Sequence, residues 1–511
     1  MGAPTSLLGN ARAFARDFAR DKMTRDYLWD VVDYVPIIID AGLTGRGGWR
    51  WGTDPLNGDV ISGLLATYAS GDQLILQTTA GSVYNCNPLP PGNMISLRGS
   101  SGWTSKQNPI QRYEDVIMFN ALGQAPPIII RSSTFGGAPS PAPNAAVGTV
   151  WGEYVVTGGG SGEEDTVRFS HPSNDLMSAS GWDVNSFQRT SMKVTGLGAL
   201  RSVLIVFHAG STERIRGSQP PATGTTSDDL NLEPLFARAG CPDPKAIAYW
   251  NENLIFADEH GVHVTDGAVI RNLVSQGGIL TYWRPLWQTR TSLAACTFLD
   301  YYIITLRQSS GGPVTLICDL NARQWFRFSN IDSIDYIASG GSGGMERVWA
   351  GISGTSRTAR MGPCFFPFPD GQESDDNGVA VLPVFETPWY RLAQQEGRKR
   401  VRFVYLSYDA RISGGLTDTT KSDEGAPPPA PPSVLASLAP ILEVSYIRSP
   451  QQTSYATLGQ LPVTTEYRRF RLPVNQFPYG VAFKVRQLVP STVTRVFDLG
   501  VEATAAERSR V

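Results

Sequence analysis

Charge is scarce in this chain. Only 18% of its 511 residues are Asp, Glu, Lys or Arg, and 44 basic residues balance 46 acidic ones to a net charge of -2. So even a balance argues against a general nucleic-acid binder held by a global positive field. Cysteine is scarce too. Cys86, Cys241, Cys296, Cys318 and Cys364 are an odd, scattered set with no CxxC pair, which reads as reduced, buried thiols rather than a disulfide framework. Such thiols fit folding in a reducing cytoplasm. Long apolar runs are missing: no stretch approaches the ~18 uninterrupted apolar residues of a membrane-spanning helix. Residues 6–23 alternate apolar and charged positions around Asp17 and Asp21, an amphipathic segment rather than a secretory signal or a transit peptide.

Motifs of catalysis are equally sparse. The chain has no P-loop, no GxGxxG between a strand and a helix, no GxSxG elbow and no HExxH. His260 and His263 are the only closely spaced histidines, and their spacing across a Gly turn is not that of a zinc site, so they read as a hairpin surface. The carboxylate groups Glu163-Glu164-Asp165 and Asp375-Asp376 lie in Gly- or Asn-rich stretches and read as solvated loops rather than glycosidase acids. The repeated Asp-box of sialidases is absent. Arg398, Lys399, Arg400 and Arg402, and Arg468, Arg469 and Arg471, alternate with aromatics, which reads as the solvent face of strands before it reads as a nucleic-acid platform.

What the chain does have is recurrence. Apolar runs at Leu74–Leu76, Val116–Phe119, Tyr154–Val156, Val203–Phe207, Leu254–Phe256, Tyr302–Leu306 and Val348–Gly351 are spaced about 38 to 50 residues apart. Each is followed by a turn and a second short strand, as in 69–85, 199–217 and 250–267. Their β-branched and aromatic content favours strands, and they are too short for stable helices. That spacing is the arithmetic of a β-propeller, whose blades cover each other's faces around an axis. The expected fold is all-β: a propeller of six or seven blades over 46–370, one of them able to close with strands from both ends. An extended N-terminal arm (1–45) precedes it and a C-terminal β-sandwich (379–511) follows, the latter carrying a Pro-rich insertion at 413–434. A long sandwich is the structural alternative.

Several segments resemble, in order, those of the β-propeller tail proteins of tailed bacteriophages, the tail nozzle and tail hub family. "LWDVVDYVPIIIDAGLTGRGGWRW" (28–51) resembles their N-terminal signature, and "TVRFSHPSNDL…SGW" (166–182) and "AGCPDPKAIAYWNENLIFADEHGVHVTDG" (239–267) are similar to blade elements. "LICDLNARQWFRF" (316–328) resembles a strand pair, and "FETPWYRLAQQEGRKRVRFVYLSYDA" (385–410) the start of the C-terminal sandwich. The resemblance runs from about 28 to 500. It implies a non-enzymatic structural subunit of a virion tail, assembled in the host bacterial cytoplasm, without cofactor or metal. It further implies a homo-hexameric ring that extends the portal and adaptor channel, meets fibre or spike proteins, and lets double-stranded DNA pass. Arg46 and Trp49 are then expected to anchor the N-terminal arm, and Lys399 and Arg400 to contact an adjacent protein, while Trp182 and Trp325 pack blades. The rival function is a propeller that hydrolyses or binds host-surface glycan.

Overall fold

The structure is a computed structural model. It describes residues 5–6, 13–17, 27–36, 43–46, 50–51, 53, 55–86, 94–98, 103–131, 134–138, 141–172, 175–217, 230–339, 347–361, 375–376, 379–391, 399–412, 440–449, 452–462, 464–476, 480–488 and 492–505. The seven apolar runs share one position. Each coincides with the second strand of a four-stranded antiparallel array, in strands such as Gly71–Thr78, Val203–Phe207 and Tyr301–Gln308. A second strand has sheet on both edges and a neighbouring array on each face. Its side chains are therefore apolar on both sides, and Val203–Phe207 is buried throughout.

Local chemistry sets the first hairpin. In six arrays two residues join the first strand to the second, giving the pairs Tyr68↔Gly71, Arg112↔Asp115, Trp151↔Tyr154, Leu200↔Val203, Trp250↔Asn253 and Phe298↔Tyr301. Turns this tight match strand twist when φ is positive, as at Asn251 (43°) and Glu252 (61°).

The arrays are not equivalent, and the expected count of six or seven blades is corrected to five. Five blades are built wholly from consecutive strands, spanning 60–98, 110–137, 147–189, 196–236 and 248–272. The 290–328 array is continuous with strands from both ends of the chain. The 333–361 array takes its fourth strand from Arg50–Trp51. The physical reason is chain connectivity. A ring of sheets must close, and here the closing strands come from far away in sequence.

Packing runs between successive arrays. Ile75 and Val83 of the first blade meet Val116 and Ile130 of the second, and Phe119 and Ile129 meet Val155 of the third. Val156 and Val167 meet Leu204 and Ile215. Phe207 and Phe256 join the fourth and fifth blades with ring centroids 4.8 Å apart. Ile303 and Ile317 meet Tyr336 and Val348 of the last array, whose Ile337 and Trp349 pack on Leu74 and Leu76 of the first blade. Two glycines permit this approach: a Cβ on Gly148 would lie 2.3 Å from Phe119 Cζ, and one on Gly351 would lie 2.1 Å from the Val60 carbonyl oxygen.

The C-terminal strands divide between two sheets. Lys399–Ile412 lies between Thr464–Gln476 and Thr492–Ala505, and Leu43–Gly45 and Tyr34–Pro36 extend that sheet. Val384–Glu386, Gly480–Gln487, Pro440–Ile447 and Ala456–Pro462 belong to the other. That sheet runs on from the 290–328 array through the three-residue strand Asp30–Val32. The insertion 413–434 lies outside the described residues.

Two helices were not anticipated: α1 (Leu273–Gln276) and α2 (Leu280–Thr289), the latter with Pro285 inside. On α2, Trp283 and Trp287 are buried and stacked at 5.5 Å, and Trp283 Nε1 donates to the Asp258 carbonyl at 3.0 Å. The Asp17 carboxylate caps its N-terminus, accepting from the amides of Leu280 (2.9 Å) and Thr281 (2.7 Å). Among the described residues no helix is long and apolar enough to cross a membrane.

Candidate functional site

The first strands of the arrays converge on the hub, where a cavity of about 410 Å3 opens among Leu64, Gln111, Thr149, Tyr249 and Ala295. Its floor is polar. The segment 103–108, which leads into the second blade, carries Gln107 and Asn108 to the axis. Gln107 Nε2 donates to the Gly148 carbonyl (2.9 Å), and the Gly148 amide donates back to Oε1 (3.1 Å). Asn108 Nδ2 donates to the Tyr336 carbonyl (2.9 Å), while its Oδ1 accepts from the Gly63 amide (3.1 Å). Two carboxamides thus tie the first and third blades to the 333–361 array.

Lys245 crosses the same hub from the 3-10 turn Pro244–Ala246. Its ammonium donates to the carbonyls of Ile61 (2.6 Å) and Ile334 (3.1 Å) and stands 3.6 Å from Asp335 Oδ1. Asp335 is 1% exposed, and neither of its carboxylate oxygens accepts a hydrogen bond. Burial pushes its carboxyl up to about 7 against the pull of Lys245. Asp243, two residues before Lys245, is also raised by burial. Side chains on the axis therefore join arrays that are not neighbours. This brace makes the propeller axis a crossed floor.

A second polar network is the clasp between the propeller and the C-terminal sheets. Arg46 is 3% exposed, and its Nε donates to Asp33 Oδ1 at 2.7 Å. Its Nη2 donates to the Ser329 carbonyl at 2.9 Å, and the guanidinium lies 5.2 Å from the Phe328 ring centroid. Asp33 also accepts from the Ser329 amide (2.8 Å) and hydroxyl. Its backbone has φ 58°, a left-handed conformation that aspartate tolerates. Nearby, Asp30 takes Arg327 (2.9 Å) and Arg16 (3.1 Å).

Of the residues singled out from sequence, Arg46 thus lies in a buried ion pair. Trp49 lies outside the described residues. Lys399 and Arg400 start the long central strand of the C-terminal sheet, opposite Ala505 and Thr504, 353 residues and more along the chain from Arg46. Trp182 and Trp325 are buried, their indoles donating to the carbonyls of Leu176 and Leu273.

His263 departs from expectation. It is 5% exposed rather than a hairpin surface, because Asp258 at the end of the preceding strand turns inward and meets its Nε2 at 2.8 Å. The neighbouring blade has a reversed counterpart that sequence reasoning missed: His208 ends the second strand and Glu213 sits on the third, 3.0 Å apart. Burial pushes the Glu213 carboxyl up, but hydrogen bonds from Ser191 and His208 outweigh it and hold the group below its ordinary value. An acid and a histidine five residues apart across each hairpin was the available signal. Among the described residues no group of three or more His, Cys, Asp or Glu is placed to hold a metal ion. Glu163 is exposed and paired with Arg168 at 2.6 Å, and it opens a strand rather than a loop. Cys241, Cys296 and Cys318 are free and buried.

No family model and no curated protein matches the chain. Among solved structures it is similar to the crystal structure of RRP9 WD40 repeats, at 11% identity and a TM-score of 0.42, covering 62% of this chain and 99% of that one. It is also similar to the structure of U3-55K, at 11% identity and a TM-score of 0.41, covering 62% of this chain and 100% of that one. Likeness at that level carries no functional argument, and the propeller arrangement is read from the chain's own sheets.

Proposed function

We propose that this protein is a structural, non-enzymatic subunit of a bacteriophage tail, a nozzle or hub component that assembles as a homo-hexameric ring around the exit path of the genome. In this reading the two composite arrays close the ring begun by the five self-contained blades. The two C-terminal sheets are the faces of a sandwich, since Val404 and Leu406 of one share a core with Val444 and Val485 of the other. The observation that supports it most is the clasp. The segment that resembles the family's N-terminal signature supplies Asp30, Asp33 and Arg46 as one cooperating unit that binds propeller to C-terminal sheets. A ring under load from a moving genome needs its two bodies to turn together.

The crossed hub adds a constraint. DNA would pass through the lumen between subunits, not along the axis of each propeller, and heterologous contacts between copies would close the ring. Partners would be portal or adaptor proteins on one side and fibre or spike proteins on the other.

Electron microscopy of purified protein and of phage particles tests this. The expected result is a six-membered ring, with the same subunit found in the tail of the particle. A protein that stays monomeric at every concentration and is absent from purified particles would overturn it, as would release of sugar from cell-surface glycan that stops when a hub carboxylate is replaced.

A further inference from the structure

A cleft of about 230 Å3 lies between the face of the fifth blade and the turn that joins Val314–Asp319 to Gln324–Phe328. Its walls carry Trp250, Asn253, Asp266, Arg271, Asn321 and Arg323, with Val264 and Leu320 between them. The neighbouring array fixes the indole: Trp250 Nε1 donates to Asp300 Oδ1 at 3.0 Å, and the half-buried ring packs against the core on one side while it lines the cleft. Asp266 is already used. It accepts from the amides of Val269 and Ala268, both at 2.9 Å. These bonds, with a smaller contribution from Arg271, hold its carboxyl below the ordinary range. The two arginines are exposed, and their guanidinium groups make no hydrogen bond to a described residue. In the lining two guanidinium groups thus stand beside one carboxylate, with Asp300 set behind the indole.

We propose that this cleft binds a single sugar residue that carries a carboxylate. A pyranose has one face of C–H groups, which suits an indole. Its hydroxyls pair with planar groups that offer two hydrogen-bonding atoms at once, as the carboxamide of Asn321 does; Asn253 Nδ2 already donates to the Asn251 carbonyl at 2.7 Å, which leaves its oxygen and second N–H. A sugar carboxylate meets a guanidinium fork-to-fork, the strong geometry for that pair. The volume holds one such residue. An acidic peptide fits less well. The cleft lies against the face of a sheet, so a peptide backbone would find no strand edge to extend. The site is independent of ring formation, and its failure would leave the tail reading untouched.

Calorimetry and ligand-detected NMR with the full chain test the proposal. The probes are glucuronic acid, a glucuronate-containing oligosaccharide, glucose, and a glutamate-rich peptide. The expected result is saturable binding of both acidic sugars, weaker with added salt, and at least about tenfold weaker binding of glucose. Arg271→Ala and Arg323→Ala should each weaken binding of the acidic sugars by about tenfold at an unchanged melting temperature, since both side chains are exposed. Trp250→Leu should abolish binding, with its melting curve recorded alongside. The proposal fails if the acidic sugars do not bind, if glucose binds equally well, if either arginine variant binds like the native protein, or if the peptide binds more tightly than the oligosaccharide. Binding of the oligosaccharide alone would support the site and assign it to a residue within a polymer.

Discussion

Asp33 in the clasp and Asp335 in the hub are equally buried, each 1% exposed, and each has a basic side chain beside it. Their surroundings differ. Asp33 accepts hydrogen bonds from Arg46 and from the amide and hydroxyl of Ser329. Asp335 has no donor within hydrogen-bonding geometry: the Lys245 ammonium directs two of its three N–H groups at backbone carbonyls and stays 3.6 Å away. The guanidinium is a fork that matches a carboxylate. The ammonium is a point charge that here serves the hub first. A buried carboxylate is secured by hydrogen bonds as much as by an opposite charge: the clasp gives its carboxylate three donors, whereas burial in the hub pushes the Asp335 carboxyl up.

The sharpest way to break the contrast is Arg46→Ala. It removes the cation hydrogen-bonded to buried Asp33 and leaves only the more distant Arg327, already engaged with Asp30, and chemical denaturation should show a loss of about 3–5 kcal/mol. A loss under about 1 kcal/mol would mean that Ser329 alone satisfies Asp33. Lys245→Met should cost less, about 1–3 kcal/mol, because Asp335 escapes by taking up a proton while the Ile61 and Ile334 carbonyls lose a donor. A cost equal to that of Arg46→Ala would erase the distinction.

The third test is pH. Burial raises the Asp335 carboxyl from 3.8 to about 7 in the folded protein, so the folded state binds the proton more tightly than the unfolded chain does. Its contribution to stability is full below the ordinary carboxylate range and is lost as pH rises through about 7. The melting temperature should therefore fall between about pH 4 and pH 7. Asp335→Asn should flatten that slope, and an unchanged slope in the variant would assign it to other groups. The smallest effect belongs to Asp17→Ala, which uncaps α2 at its exposed end and should cost about 1 kcal/mol by thermal denaturation.

The five self-contained blades were legible because their information is local. A buried second strand announces itself as an apolar run, as at Leu74–Leu76 or Leu254–Phe256, and a two-residue turn sets its register with the strand before it. The composite region was only partly legible. The strand Asp30–Val32 is three residues long, and its pairing with Arg327 depends on a partner nearly 300 positions away. Helix α2 escaped notice because Pro285 interrupts it, although Leu280, Trp283 and Trp287 carry a helical spacing. Lys245, Gln107 and Asn108 look like ordinary polar loop residues, and only convergence of the first strands brings them to one axis.

By itself the order of residues determined that this protein is built of recurring small sheets of short strands. Strand formation and hairpin register depend on neighbours a few positions apart, and covering both faces of each sheet requires more sheets of the same kind. Which strands close the ring, which buried carboxylate finds hydrogen-bond donors and which side chains cross the hub were decided only by the tertiary structure. Each of those depends on distances between groups that the chain separates by tens to hundreds of residues, and on the water that packing excludes from between them.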